Sequence, residues 1–399
     1  MRIAFLGTSS LDYPSPRGRW LPLAQELAKL GHAPQLLLLH HTYDQLPIAQ
    51  RRQEHAGVVV HYVGQMHVYG PVGQRRYYRP LPLLYVSLLG AAALARAAFQ
   101  VGADIVHVCK PQPINGLAGV LAAQGSRRRL CVDCDDYEAG GNRFGAAWQQ
   151  RVVQFWEDQL PQVASAVTVN TRFLEQRYVA LGVPAARIQY VPNGVAPARL
   201  NDPPPRQVAG LRSALGVGSE PLVVYVGTLS KTTHNVDLLL DAFALVAERV
   251  PTARLLLVGD GEDRHELERR AAALGLGARA LFVGAVAASA VPTFLALATC
   301  SVDPVADDAV ARARSPLKIV ESLALGVPVV TGNVGDRGEM LREDAGVLVT
   351  PGSAEALANG IIEVVENQQG RAQLAAAARK RSAAYRWDRL ALQWLNVYH

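Results

Sequence analysis

Three groups of residues in this chain have the types and spacing to act on a charged, hydroxyl-rich ligand. The first lies in SPLKIVESLALGVPVV, residues 315–330. Ser315-Pro316 suits a helix start, because proline's fixed φ and missing N–H fit the first turn. Leu317, Val320, Leu323 and Ala324 recur at helical spacing, and Gly326 stands where a left-handed residue ends a helix. Val327 to Val330 follows as an apolar run of strand length. Free N–H groups at a helix start attract an anion, and the helix dipole adds to the attraction. Lys318 falls in that first turn, and Glu321 lies one turn further along the same face. A cation beside free amides can hold a phosphate, and a nearby carboxylate can hold the two hydroxyls of a ribose. The plainer alternative is a solvated Lys-Glu pair on an amphipathic helix.

The second group sits in glycine turns. PLVVYVGTLSK (221–231) reads as a strand ending in Gly227, followed by Thr228 and Lys231; ARLLLVGDGEDR (253–264) reads as the next strand, with Gly259 and Gly261 in its turn. Glycine lets backbone approach a ligand closely. Lys231 follows in the loop, a cation beside that turn. The third group is acidic and polar. LCVDCDD (130–136) reads as a strand, and Asp135-Asp136-Tyr137-Glu138 puts three carboxylates at its C-terminal end, where open parallel sheets bind ligands. Asn170-Thr171 stands at the turn of ASAVTVNTRFLEQRYVALG (164–182), and Gly18-Arg19 in the loop after the first strand. A plain loop glycine is the alternative for Gly18.

The elements that must position these residues follow βαβ grammar. RIAFLG (2–7) reads as a strand, then a loop through Pro14, Pro16 and Gly18, a helix from about Trp20 to Leu30 ended by Gly31, and a strand over Gln35–Leu39. That order implies an α/β protein with a parallel sheet and right-handed crossovers. The chain has 399 residues, half of them apolar, enough for two cores of roughly 150–200 residues each. The expected division is a first domain over 1–200, a stiff linker over 201–219 opened by NDPPPR (201–206), and a second domain over 220–380. In the tail, 381–399, Trp387, Leu390, Trp394 and Leu395 stand at core spacing.

Composition narrows the partners. Met1-Arg2 runs directly into the first strand pattern, so no leader segment is expected at this end. Four cysteines make no disulfide framework and suit a reducing cytosol; Cys131 and Cys134 form a C-x-x-C with no second pair to complete a zinc site. Residues 1–200 hold 20 Lys and Arg against 12 Asp and Glu, whereas 201–399 hold 20 against 22. A basic half suggests an anionic partner. No RNA- or DNA-binding module is legible, so nucleic acid ranks behind membrane lipid and phosphorylated small molecules. Residues 66–96 join a basic, aromatic stretch (MHVYGPVGQRRYYRP) to an apolar run over 81–95, too short to cross a bilayer. Two readings stay open there. One is an interfacial segment on anionic membrane, the other a buried helix following a basic loop. Arg127-Arg128-Arg129 reads as a solvated edge.

In the order VGTLSK, VGDGEDR, VDPV, SPLKIVE, these segments resemble the donor half of the family-4 retaining glycosyltransferases, two-domain enzymes of GT-B fold. VPNGV (191–195) resembles the end of their N-terminal domain. The resemblance covers about residues 1–10, 100–120 and 164–365, and is strongest over 221–332. The commoner family form carries two glutamates; the second matches Glu321, and the first would fall at Ala313. A variant with Ser-Pro-x-Lys before the glutamate is the one this chain resembles. Thr228 replaces a family arginine on the diphosphate, Lys231 or His234 stands for a lysine, and Asp135 takes the place of a histidine that touches the sugar.

The resemblance implies two Rossmann-like, doubly wound domains and transfer of a sugar from a nucleotide-diphosphate sugar to a glycan, lipid-linked or small-molecule acceptor. It implies no metal and no other cofactor. Asp135-Asp136 and Asp307-Asp308 then read as solvated or hydroxyl-binding pairs. Asp135, Lys231 and Lys318 would serve the transfer. Gly18, Arg19, Asn170, Gly227, Thr228, Gly259, Gly261, Ser315, Pro316, Leu317 and Glu321 would hold the donor. The last helix would return to the N-terminal domain. The expected setting is cytoplasmic, with peripheral membrane contact through 66–96. Two rivals share the donor grip: a nucleotide-sugar epimerase of the same fold, and a nucleotide-sugar-binding protein without catalysis.

Overall fold

The computed structural model describes residues 1–70, 76–124 and 128–398, so Arg75 and Arg127 lie outside the described residues. The chain separates into two compact units. The first comprises Met1–Gly194 and Trp387–His399, and the second Val195–Arg386. The expected boundaries are corrected by local chemistry. Val195 donates its N–H to the Tyr385 carbonyl at 2.7 Å, tying both ends of the second unit together. The expected linker is in part a helix, Pro205–Ala214, with proline in its first turn. Val208 and Leu211 of that helix pack on Leu222, Val224 and their neighbours. The prolines of NDPPPR therefore start a helix instead of extending a spacer.

In the first unit the strands are β1 (Arg2–Gly7), β2 (Ala33–His40), β3 (Arg52–His55), β4 (Val58–Gln65), a small antiparallel ribbon of β5 (Val68–Tyr69) and β6 (Arg76–Tyr77), then β7 (Ile105–Cys109), β8 (Arg129–Cys134), β9 (Ala166–Val169) and β10 (Ile188–Tyr190). The main sheet runs β10-β9-β8-β7-β1-β2-β4-β3. Its central strands are near-continuous apolar runs because helices cover both faces. All its pairs are parallel except β3 with β4. Between β1 and β7 the strand order reverses, and the C-terminal ends there open a crevice. The helix Trp387–Leu395 completes this core with Trp387, Leu390 and Trp394 buried.

The second unit holds β11 (Leu222–Val226), β12 (Arg254–Val258), β13 (Ala280–Gly284), β14 (Cys300–Asp303), β15 (Val329–Gly332) and β16 (Val347–Val349), all parallel, in the order β13-β12-β11-β14-β15-β16. Its reversal falls between β11 and β14. The helix Val236–Arg249 buries Leu239, Leu240, Phe243 and Val246 on one side of this sheet, a period-3.6 stripe legible in the sequence.

One helix departs from its neighbours. Pro80–Gln100 runs 21 residues, longer than the apolar stretch at 81–95, and is the one described helix long and apolar enough to cross a membrane. Gly90, Ala91, Leu94, Ala95, Ala97 and Ala98 are buried, and the helix packs against β2, β4 and the helix Pro113–Gln124. Leu81, Leu84, Tyr85, Leu88 and Leu89 are exposed, Leu81 to 80% and Tyr85 to 66%. One face belongs to the core, and an apolar face is left to the outside.

Candidate active site

The strand ends of the second unit gather cations. Asp303 closes β14, and both its oxygens are taken: Lys318 Nζ lies 3.0 Å from Oδ1, and Arg337 Nε 2.8 Å from Oδ2. Against the upward pull of burial, these two cations hold the Asp303 pKa well below the usual carboxylate range. Lys318 belongs to the helix Leu317–Leu325, whose N-terminus has Pro316 at the cap position and no side-chain cap. Burial draws the lysine below its ordinary pKa despite Asp303. Its Nζ also sits 4.2 Å from the centre of the Tyr225 ring. Ser315 is buried, and Leu317 and Pro316 are half-buried, so the expected helix start stands with its first turn beside Lys318. Gly326 ends the helix at φ +65°.

Gly227 follows β11 at φ +152°, and a Cβ there would stand 3.3 Å from Lys318 Nζ. Gly259 and Gly261 have a different reason to be glycine. A Cβ on Gly259 would meet the Gly227 carbonyl at 1.9 Å, and one on Gly261 the Leu229 carbonyl at 2.2 Å. The two turns stack backbone on backbone, and that packing alone requires both glycines. Thr228 is exposed, and its carbonyl accepts the Tyr225 hydroxyl at 2.7 Å.

Lys231, expected to serve the ligand, is paired at the surface. Its ammonium pairs with Glu266, and its N–H donates to Asp263 at 2.8 Å. His234 stands in the cluster instead. Burial, then Lys318 and Arg314, push its pKa down to about 3, so the ring is neutral at physiological pH. Asn235, next in the chain, takes φ +47° and starts the helix Val236–Arg249. Glu321 lies one turn from Lys318, as the spacing required, but one of its oxygens accepts from Arg199. Burial raises the Glu321 pKa, and Arg199 opposes that rise. Ala313, in place of the first glutamate, is fully buried. Of the acidic pair, Asp307 binds Arg312, and Asp308 caps the helix Ala309–Arg312.

In the first unit the corresponding strand ends gather carboxylates. Lys110 follows β7 in the left-handed region, φ +73°. Its Nζ lies 2.6 Å from Glu138, 3.2 Å from Asp135 and 3.9 Å from Asp136. Burial raises the Asp135 pKa to about 7, against Lys110. Glu138 is held low: against burial, Lys110 is its strongest partner, with Gln112 and Asn142 adding hydrogen bonds. Glu157 accepts the N–H groups of Glu138 and Ala139, yet burial raises its pKa to about 7. Asn170 donates to the Asp135 carbonyl at 2.6 Å, while its buried Oδ1 has no hydrogen-bond partner among the described residues.

Arg19 is corrected as a ligand residue. It lies in a helical turn, Pro16–Trp20, that also contains Gly18, and is 1% exposed. Its guanidinium grips Asp133 with two bonds of 2.8 Å and reaches the Val191 carbonyl and Asn193. Trp387 and Trp394 lie over it at 5.9 and 5.3 Å. With all its donors inside the core, it has none for a ligand. The arginine cluster is also less solvated than expected: Arg128 lies 4.8 Å from the Phe99 ring, and Arg129 donates to the Tyr398 carbonyl. The four cysteines are free and buried.

Among the described residues one group has metal-type donors converging: Asp12, His40 and His41. The Thr42 N–H donates to His40 Nδ1 at 3.1 Å, so a neutral ring carries its proton on Nε2, 3.5 Å from Asp12. That tautomer has no lone pair left for a metal at Nε2.

Sequence reasoning missed Asp303, Arg337, Lys110 and Arg199. Asp303 lies within the motif VDPV, and Lys110 ends the pattern ADIVHVCK; either could have been found by asking which residues stand at or just past the strand ends at the reversal. Nothing near Arg199 in sequence marks it.

Two doubly wound parallel sheets, each with polar side chains at its reversal, define a two-unit α/β protein. The family profile described as Glycosyl transferases group 1 matches residues 211–381, and that of the Glycosyl transferase 4-like domain matches 17–194. The chain belongs to the family-4 glycosyltransferases of GT-B fold. It is 31% identical over 229 residues to a GDP-mannose-dependent alpha-(1-6)-phosphatidylinositol monomannoside mannosyltransferase of Mycobacterium tuberculosis, covering 56% of this chain and 59% of the relative's length. The protein of the same description from Mycolicibacterium smegmatis is 27% identical, over 77% of this chain and 79% of its own. Sucrose-phosphate synthase from Thermosynechococcus elongatus has the same fold, with a TM-score of 0.78 at 21% identity over 100% of this chain and 98% of that one. So does Anabaena HepE in complex with UDP, with a TM-score of 0.72 at 21% identity over 99% and 98%.

Proposed function

We propose that the chain moves a sugar from a nucleotide-diphosphate sugar to a lipid-linked or glycan acceptor, with retention at the anomeric carbon and with no metal or other cofactor, on the cytoplasmic face of a membrane. The observation that carries this is the cation cluster of the second unit, where Lys318 meets the Gly227 turn and an uncapped helix N-terminus. A departing diphosphate accumulates negative charge, and groups already aimed at that charge lower its energy without reorganising. Lys318 and the first amides of its helix are the groups assigned to that task. Asp303 keeps Lys318 oriented, and Arg337 on the other carboxylate oxygen keeps Asp303 in place. Neutral His234 supplies a hydrogen bond in place of the charge expected from Lys231. Glu321 takes the ribose hydroxyls with the oxygen that Arg199 leaves free. In the first unit, Asp135 and Asn170 hold sugar hydroxyls: a carboxyl with a pKa of about 7 can donate or accept, and Asn170 Oδ1 is an acceptor awaiting a donor.

Membrane contact is supported by the exposed face of Pro80–Gln100 with Arg76, Arg79 and Arg96 exposed beside it. Leucines in that setting bury in the headgroup boundary while arginines meet anionic lipid. The names of the mannosyltransferase relatives favour GDP-mannose and a phosphatidylinositol-type acceptor as the first pair to try.

The test is turnover with GDP- and UDP-sugars, with and without vesicles containing phosphatidylinositol. Nucleotide release that depends on acceptor is expected. Isomerisation without acceptor would make the chain an epimerase, and binding without turnover would make it a binding protein. A companion thermal-shift panel of UDP, GDP, ADP and dTDP reads the donor site directly. A nucleotide at 100 times its dissociation constant adds about 2.7 kcal/mol of stability. That shift is expected to vanish in Glu321→Ala.

A further inference from the structure

We propose that a cavity of about 470 Å3 on the first unit is a binding site for a phosphodiester-linked polyol, the headgroup of an anionic lipid. Asp44, Tyr69, Arg76 and Tyr78 line it, with His41 and Gln65 forming its wall. Gln65 is saturated: Nε2 donates to the carbonyls of His41, Met66 and Val68, and Oε1 accepts the Tyr43 N–H. The wall is thus fixed by bonds within the protein, and the ligand-facing groups are others. Neither Arg76 nor Asp44 is in an ion pair among the described residues, and both are exposed. Asp44 lies near enough to Tyr78 to help raise the tyrosine's pKa, after burial.

This set has a specific chemistry. A guanidinium presents a planar fork to phosphate oxygens, and a carboxylate accepts from hydroxyls. The Tyr69 and Tyr78 rings, both lining the cavity, pack 4.7 Å apart at 44°, aromatic surface of the kind that takes the C–H side of a sugar or cyclitol ring. One cation against one carboxylate suits a monoanionic phosphodiester; a nucleoside diphosphate would bring two phosphates to a site of no net charge. The lipid source follows from the chain. The helix Pro80–Gln100 starts two residues after Tyr78, so its exposed apolar face begins at the cavity's edge. The inference rests on the lipid-acceptor reading, because it says where that acceptor's head is held.

The experiment uses the full chain and two separate readouts. Calorimetry with glycerophosphoinositol, glycerophosphocholine and inorganic phosphate reads the cavity without a bilayer. Glycerophosphoinositol is expected to bind, with a loss on the order of tenfold in Arg76→Gln and in Asp44→Asn, which are surface changes. Flotation with phosphatidylglycerol vesicles reads the apolar face, and Leu84→Ser/Leu88→Ser is expected to abolish it. Absence of glycerophosphoinositol binding overturns the headgroup site even if flotation persists. Equal binding of inorganic phosphate also overturns it, since the cavity would then read only charge. Binding that survives in the double variant Arg76→Gln/Asp44→Asn overturns the residue assignment. Headgroup binding without flotation upholds the cavity and sinks only the membrane face.

Discussion

The two units carry opposite charge at equivalent places. In each, the first strand of the unit is flanked by the strand across the order reversal: β7 beside β1, and β14 beside β11. Lys110 stands just past the end of that flanking strand in the first unit, and Asp303 is its last residue in the second. Lys110 is surrounded by Asp135, Asp136 and Glu138; Asp303 is surrounded by Lys318 and Arg337, with His234 in their field. One lysine organises carboxylates, and one carboxylate organises cations. The same backbone plan therefore offers acceptors for hydroxyls in one unit and a positive field for phosphate in the other. In neither unit is the central residue a free ligand-binding group. It is the counter-ion that makes its neighbours tolerable when buried.

The comparison breaks most directly by removing a counter-ion. Asp303→Ala leaves Lys318 and Arg337 buried without a partner and should cost roughly 3–5 kcal/mol, as for other broken buried pairs. Urea unfolding measures the loss, and hydrogen exchange should place it in β11, β14 and β15. A cost below about 1 kcal/mol would mean that water already screens the cluster. Arg19→Ala is the sharpening partner. It strands Asp133 and should cost a similar amount, but in the first unit, leaving nucleotide binding intact. Weaker nucleotide binding in correctly folded Arg19→Ala would restore Arg19 to the ligand site.

Lys318→Gln comes next. It keeps a hydrogen-bonding end on a side chain one atom shorter but removes the charge proposed to meet the diphosphate, for an expected loss of about 1.5–3 kcal/mol in nucleotide affinity. Calorimetry with the nucleotide that gives the largest thermal shift checks it. Lys231→Gln, paired to Glu266 at the surface, should bind as the parent does.

The acidic unit has its own signature. Glu157 and Asp135 have pKa values of about 7, above their ordinary 4.5 and 3.8. Between the ordinary and raised values the folded state binds protons that the unfolded chain does not, so stability is greatest at low pH and falls as pH rises towards 7. Acid-induced gain from pH 8 to pH 5 is expected in thermal unfolding, and Glu157→Gln should flatten it by about 1 kcal/mol. A profile unchanged by that substitution would mean that the two backbone N–H bonds keep Glu157 ionised throughout.

The fold was legible because it is written in period. Apolar strand runs, glycine stops and the 236–250 stripe each report a local constraint. The helix at 317–325 and its Lys318-Glu321 spacing were legible for the same reason. Arg19 misled because a glycine-arginine pair after a first strand reads as ligand loop; nothing local says that Trp387 and Trp394, far along the chain, cover it. Lys231 misled because charge was ranked above reach. The decisive facts, the Lys231–Glu266 ion pair and the field of Lys318 acting on His234, are tertiary ones. The exposed face of Pro80–Gln100 was ambiguous for a third reason: its composition is that of a core helix, and only packing shows which side the core uses.

His234 gives the smallest effect and the finest test of the contrast. Its pKa of about 3 reflects burial next to Lys318 and Arg314, so the free protein keeps it neutral above pH 5. A diphosphate entering the cluster adds negative charge and must raise that pKa. Binding then takes up a proton, and affinity for a nucleotide sugar should strengthen a few-fold as pH falls from 7 to 5. A nucleotide sugar is the right probe, because its diphosphate diester does not titrate in that range. His234→Gln should bind with a flat profile. If the parent is flat as well, the imidazole lies too far from the phosphates to feel them, and the charge of this site is carried by Lys318 and its helix alone.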